Sequence, residues 1–146
     1  MEKAEMEQYL ERFVQAQEGD YEIALQEMKD GEKRSHWMWY IFPQIAGLGF
    51  SPMAKRYAIP DLETAKAYVQ HPLLGRRLLE ISEVLLKNPS NDPFWVMGSP
   101  DDLKLRSSMT LFAIAAPKKA VFQRVLDKFY GGEQDGKTIQ ILKRQG

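Results

Sequence analysis

Along almost the whole chain, apolar residues recur at spacings of three and four, and prolines and glycines cut that pattern into short lengths. This is the signature of consecutive short amphipathic helices separated by turns. Tyr9, Leu10, Phe13 and Val14 form the stripe of a first helix that Gly19 stops. Asp20 is placed as the cap of a second, carrying Tyr21, Ala24, Leu25 and Met28 as far as Gly31. Ser35 is placed as the cap of a short third helix reaching Phe42, where Pro43 ends it. After a loop over 44–50 with glycines at 47 and 49, Ser51-Pro52, Asp61 and His71-Pro72 each read as a helix start. Leu74, Leu78, Ile81 and Leu85 make the clearest apolar face in the chain and predict a core helix. Asp92-Pro93 opens a short turn with Phe94, Trp95 and Met97, and Ser99-Pro100-Asp101-Asp102 reads as the capped start of a helix running to about Ala116. Val121, Phe122, Val125, Leu126 and Phe129 mark the next helix, closed by Gly131-Gly132, and a last one spans roughly 136–144. No segment alternates with period two. The pattern therefore predicts an all-α fold, one domain over residues 1–146 of about seven to nine short helices packed at varied angles, without a significant sheet.

Composition agrees with a packed globule: hydrophobic residues make up 44% and charged residues 27%, and a chain of this length buries roughly two-thirds of its unfolded surface. The chain has no cysteine, which excludes disulfides, thiolate zinc sites, iron–sulfur clusters and thiol nucleophiles. The longest apolar runs, Trp37 to Phe42 and Leu111 to Ala116, are six residues each, against the ~20 that span a bilayer. No membrane association is expected. The acidic, amphipathic start lacks the regions of a signal peptide, so the expected location is cytoplasmic. Net charge is zero, but the first thirty residues hold nine acids and three bases. No basic stripe stands out, which disfavours nucleic acid as a partner while leaving room for a small anion.

Two segments interleave polar groups and aromatics densely. Residues 33–44 hold two of the three tryptophans and one of the two histidines. A helix so apolar all round belongs in the interior, where an indole N–H needs a partner. The functional reading is an aromatic-lined pocket in which His36 is the candidate acid/base group, Gln44 reads an amide, Arg34 or Lys33 meets an anion, and Ser35, Trp37 and Trp39 complete the wall. The structural reading has Ser35 as a cap and the tryptophans as core. In residues 101–112, Asp102 and Arg106 lie four apart and suit an ion pair, while Asp101, Lys104, Arg106 and Ser107 are candidates for the polar wall of the same cleft. The structural alternative makes the two acids dipole partners and Arg106 a clamp on carbonyls. Metal and cofactor sites are not expected: the histidines stand thirty-five apart without HxxxH or HExxH, and no GxGxxG or GxxxxGK[ST] loop occurs. No GxSxG elbow supports a serine triad.

The wording of "KRSHWMWYIFPQIAGLGFSPMAKRYAI", "HPLLGRRL", "GSPDDLKLRSSMTLF" and "FYGG" resembles the bacterial and fungal family catalogued as domain of unknown function 1810, over about Phe13 to Leu142. The resemblance implies a small, monomeric, mainly α-helical domain and carries no activity. Some of that family bear the label calpastatin, whose inhibitory regions are disordered and polar, unlike the dense aromatic pattern here. Residues 71–98 also resemble, more weakly, a helical family of enzymes acting on ADP-ribose derivatives and riboflavin intermediates. The leading reading is thus an α-helical monomer with an aromatic and polar cleft for a small anionic ligand, its turnover left open. The alternative is a protein-interaction module without catalysis, which would use the acidic face of the first two helices. An enzyme of ADP-ribose or related nucleotide derivatives is the weaker alternative.

Overall fold

The structure, a computed structural model, describes residues 1–146. Ten helices follow one another: α1 Lys3–Gln17, α2 Asp20–Asp30, α3 Met38–Ile41, α4 Pro52–Arg56, α5 Leu62–Gln70, α6 Leu74–Leu86, α7 Pro93–Met97, α8 Asp101–Ala115, α9 Val121–Tyr130 and α10 Gly136–Gln145. The count exceeds the expected range because α3, α4 and α7 are single turns of four or five residues. No strand forms. One parallel bridge ties Ile45 to Ile59, with Ile59 N–H donating to Gln44 O and Ala46 N–H to Ile59 O, both at 2.8 Å.

Short helices need their ends satisfied, because four N–H groups at each start have no internal partner. Ser51, Asp61, Asp92 and Asp135 accept from the first turns of α4, α5, α7 and α10. The His71 ring does the same for α6, its Nδ1 accepting from the N–H of Leu73 and Leu74 at 3.2 Å. Three expected caps fall elsewhere. Gly19 precedes α2 while Asp20, already helical, accepts a hydrogen bond from the Tyr40 hydroxyl. Ser35 turns away to a carboxylate, so α3 begins only behind Trp37. The start of α8 uses backbone carbonyls instead of Ser99: Gly98 O accepts from Asp102, and Pro100 O from Leu103 and Lys104.

Helix α8 is the axis of the molecule, packed against α5, α7, α9 and α10, while α6 packs on α2, α5 and α9. All six residues from Ser107 to Phe112 are buried, and a helix covered on every side is a core helix. Edge-on and tilted ring pairs then run through the single 32-residue core, Phe13 on Tyr68 at 5.3 Å, Tyr68 on Phe112 at 5.3 Å and Phe112 on Phe122 at 5.8 Å, joining α1, α5, α8 and α9. The apolar face foreseen for α6 is fully internal, with Leu74, Leu78, Ile81 and Leu85 all at 2% exposure or less.

Helices α5 and α6 meet so closely that a Cβ at Gly75 would lie 1.9 Å from the Val69 carbonyl oxygen. Gly75→Ala must push the two helices apart, and overpacking of this kind costs about 1–3 kcal/mol or more, a fall of several degrees in melting temperature. Gly136→Ala, where nothing lies within 4 Å of the added carbon, is expected to melt at or slightly above the parent temperature. Equal behaviour of the two variants in a thermal melt would contradict this account of the α5–α6 crossing.

Candidate functional site

The last turn of α2 carries Glu27 inward, at 6% exposure, among apolar neighbours. The loop over 31–37 folds around its carboxylate. Oε1 accepts from Arg34 N–H at 2.7 Å, Ser35 N–H at 2.9 Å and the Trp37 indole at 2.9 Å, and Oε2 accepts from the Ser35 hydroxyl. Burial alone would raise this carboxyl's pKa. The donors from Ser35, Arg34 and Trp37 favour the charged form more strongly and hold it at about 2. Ser35 and Trp37 are thereby spent on the protein itself. The Arg34 guanidinium pairs at the surface with Asp30, at 3.0 Å. His36 is exposed, and its ring enters no hydrogen bond or ion pair.

Lys33 links the two segments singled out from the sequence. Its ammonium, with the side chain only 8% exposed, lies 2.9 Å from Asp101 Oδ2, donates to Ser35 O at 2.6 Å, and sits 5.0 Å from the Trp37 ring centre. Asp101 also faces Lys104 at 3.7 Å, and Lys104 lies 5.8 Å from the half-buried Trp39 ring. A line of alternating charge and aromatic surface therefore runs from the 31–37 loop onto the first turn of α8.

On the other side of α8, Arg106 does not pair with Asp102. Its fork donates to two carbonyls of the α9–α10 turn, Glu133 O at 3.0 Å and Gln134 O at 3.1 Å, with Glu133 Oε2 at 3.5 Å. Two convergent carbonyls match the planar guanidinium better than one carboxylate on its own helix, and Asp102 Oδ1 is left buried without a partner. Ser107 donates to Asp135 Oδ2 at 3.0 Å, and Asp135 N–H in turn donates to the Thr110 hydroxyl at 2.9 Å. Asp135 also caps α10 through Thr138.

Between these networks lies a cleft of about 250 Å³, lined by Gln44, Leu48 and Gly49 from the loop after α3, Pro100, Leu103, Lys104, Arg106 and Ser107 from α8 and its approach, and Asp135 and Lys137 from α10. Four predicted residues thus share one cleft: Gln44, Lys104, Arg106 and Ser107. Trp39 borders a neighbouring recess together with Gln44 and Lys104, and Asp101 stands behind Lys104. Arg34, Ser35, His36 and Trp37 lie outside. Sequence reasoning missed Lys137 and Asp135, although Asp135 followed by Thr138 is a helix-start pattern, and it missed Glu27, which shares the inward side of α2 with Ala24 and Met28. No three His, Asp or Glu side chains gather anywhere as a metal-binding set, and no helix is long and apolar enough to cross a membrane.

A family model described as "Protein of unknown function (DUF1810)" matches residues 7–142, beginning slightly before the segment identified by resemblance. The fold is similar to the crystal structure of the conserved hypothetical protein Rv1873 from Mycobacterium tuberculosis, at 48% identity and a TM-score of 0.90, covering 92% of this chain and 96% of that one. No curated protein matches the chain.

Because the folded pKa of Glu27 lies below its ordinary value of 4.5, its contribution to stability is complete above pH 4.5 and is lost as pH falls towards 2. Glu27→Gln keeps an acceptor for the three N–H groups and lets Ser35 accept in turn, so the variant folds, less stable than the parent by about 2–3 kcal/mol at pH 7 for the lost charge-assisted bonds. The melting temperatures of parent and variant are expected to converge between pH 4.5 and 2. A difference independent of pH over that window would assign Glu27 a role other than this charged acceptor.

Proposed function

Because the chain belongs to the DUF1810 family, described as proteins of unknown function, we propose a role for it from its own geometry: it binds a small anionic ligand in the cleft between the loop after α3 and helices α8 and α10. The observation that carries this reading is the convergence of Gln44, Lys104 and Lys137, from three separated stretches of chain, on one cleft. Arg106 and Ser107 are engaged by the α9–α10 turn and Asp135, so they hold the walls in place. Asp135 is committed to its cap. The groups that face a ligand are the Gln44 amide, the Lys137 ammonium and the Lys104 ammonium, which also faces Asp101 at 3.7 Å, a set suited to a carboxylate or a monophosphate.

The volume of about 250 Å³ lies just under the usual range for ligand pockets, which favours a compact ligand over a dinucleotide-sized derivative of ADP-ribose. His36 stands outside the cleft, so an acid/base step through it is not part of this reading. A second reading, a protein-interaction module, is favoured by Phe94, Trp95 and Leu103, which are 59%, 65% and 62% exposed around the junction of α7 and α8.

A thermal-shift series with inorganic phosphate, small carboxylates and sugar monophosphates tests the proposal. A ligand at 100 times its dissociation constant stabilises by about 2.7 kcal/mol, an upward shift of roughly 5–10 °C. The double variant Lys104→Met with Lys137→Met is expected to abolish that shift. Arg106→Lys is expected to lower the melting temperature of the free protein, since an ammonium cannot reach both carbonyls, while keeping a shift. No response to any of these anions, or a response that survives loss of both lysines, would overturn the cleft as the site.

A further inference from the structure

Away from the cleft, a groove of about 590 Å³ opens between the C-terminal end of α6 and the start of α9. Lys87 enters it from α6, Lys118 and Lys119 from the turn before α9, and Arg124 from the first turn of α9, with Glu83 as the one carboxylate on its wall. All four cations are exposed. None of them forms an ion pair, since the four ion pairs of the molecule employ Lys33, Arg34, Lys104 and Arg106.

Four like charges against one opposite charge repel one another, and the positive end of the α9 dipole adds to that repulsion at Lys118, Lys119 and Arg124. Acids occupy the first turns of four other helices, α1 with Glu5, α2 with Asp20 and Glu22, α5 with Glu63 and α8 with Asp101 and Asp102, whereas α6 and α10 have none there. The first turn of α9 has none. Such a groove is less stable empty than filled by negative charge. Its floor is different in character: Leu79, Leu86 and Val121 supply an aliphatic surface.

We infer that this groove is a second site, for a small molecule carrying at least two phosphate groups and an apolar or ring portion, such as a nucleoside diphosphate or a sugar bisphosphate. The excess of positive charge sets the minimum of two anionic groups, the volume sets the size class, and the aliphatic floor accounts for the uncharged part. A single-stranded nucleic acid fits less well, because no aromatic side chain lines the groove to stack a base. The inference does not rest on the proposed cleft, which uses none of these residues.

Calorimetric titration of the full chain with pyrophosphate, and separately with inorganic phosphate, in low salt tests the site. Pyrophosphate is expected to bind at least about tenfold more tightly than phosphate, with an affinity that falls as salt rises. Lys119→Gln combined with Arg124→Gln is expected to weaken pyrophosphate at least about tenfold, while the melting temperature of the free variant equals or exceeds the parent's, because repulsion has been relieved. In Lys104→Met with Lys137→Met, which silences the cleft, the tight pyrophosphate site is expected to persist and still to be weakened by the groove substitutions, which separates the two sites. The inference is overturned by equal affinity for the two anions once the cleft is silenced, by pyrophosphate binding indifferent to the groove substitutions, by loss of the tight pyrophosphate site in the variant lacking Lys104 and Lys137, or by tighter binding of a single-stranded oligonucleotide to the same residues.

Discussion

One buried carboxylate organises the half of the molecule that faces the cleft. Glu27 collects three N–H donors and a hydroxyl from a loop that has no regular structure of its own. Buried N–H groups without partners each cost about 1–3 kcal/mol, so the loop can close over the core only where an acceptor of this capacity is waiting. Closure sets the Trp37 ring against Phe42 at 6.2 Å and places Lys33 beside Asp101. The position of α8 relative to α2 is thereby coupled to a single charge, through Lys33 and Asp101.

On its other flank, α8 is held by a different device. Arg106 and Ser107 on one turn and Thr110 on the next each reach the segment over 133–135. Buried polar groups are costly without partners, and the turn beside α8 supplies partners for these three in one place, while Asp102 Oδ1 and Ser108 Oγ on the same helix have none. The cleft between loop and helices is a by-product of both networks: its walls are fixed by Arg106, Ser107 and Asp135, which are already bonded, and Gln44, Lys104 and Lys137 open into it. Preorganised walls reduce the ordering cost that any ligand has to overcome.

The helical skeleton was legible because periodicity and local capping are properties of neighbouring residues. Asp61, Ser51, His71 and the apolar face of α6 follow from spacings of four or less, and the structure has them so. Ser35 departs from this because a charged acceptor outcompetes the neutral helix start for its hydroxyl and N–H, and that acceptor stands eight residues upstream on another element. Asp102 and Arg106 show the same limit. Their spacing satisfies the rule for an ion pair, yet two carbonyls twenty-seven and twenty-eight residues downstream take the guanidinium. Gln44, Lys104, Arg106 and Ser107 could be named because their segments are compositionally unusual. Lys137 and Asp135 could not, since nothing in the last helix is unusual until α8 is beside it.

Charge is distributed by the same logic. The chain is neutral overall, but its first thirty residues carry an excess of six negative charges and the remainder an equal excess of positive ones. On α1 and α2 most acids are exposed and spread along two helix surfaces, where water and salt screen them within about 8–10 Å. Seven of the seventeen basic residues after the thirtieth line concave surface, at the Lys104–Lys137 cleft and in the groove between α6 and α9. Concave, low-dielectric walls focus a field that a convex surface disperses. In the proposed reading the two acidic helices repel an approaching anion weakly, while the recesses attract it at short range. On the proposed anion-binding reading, a neutral protein of this size would draw its selectivity from the shape of its charged surfaces and not from net charge.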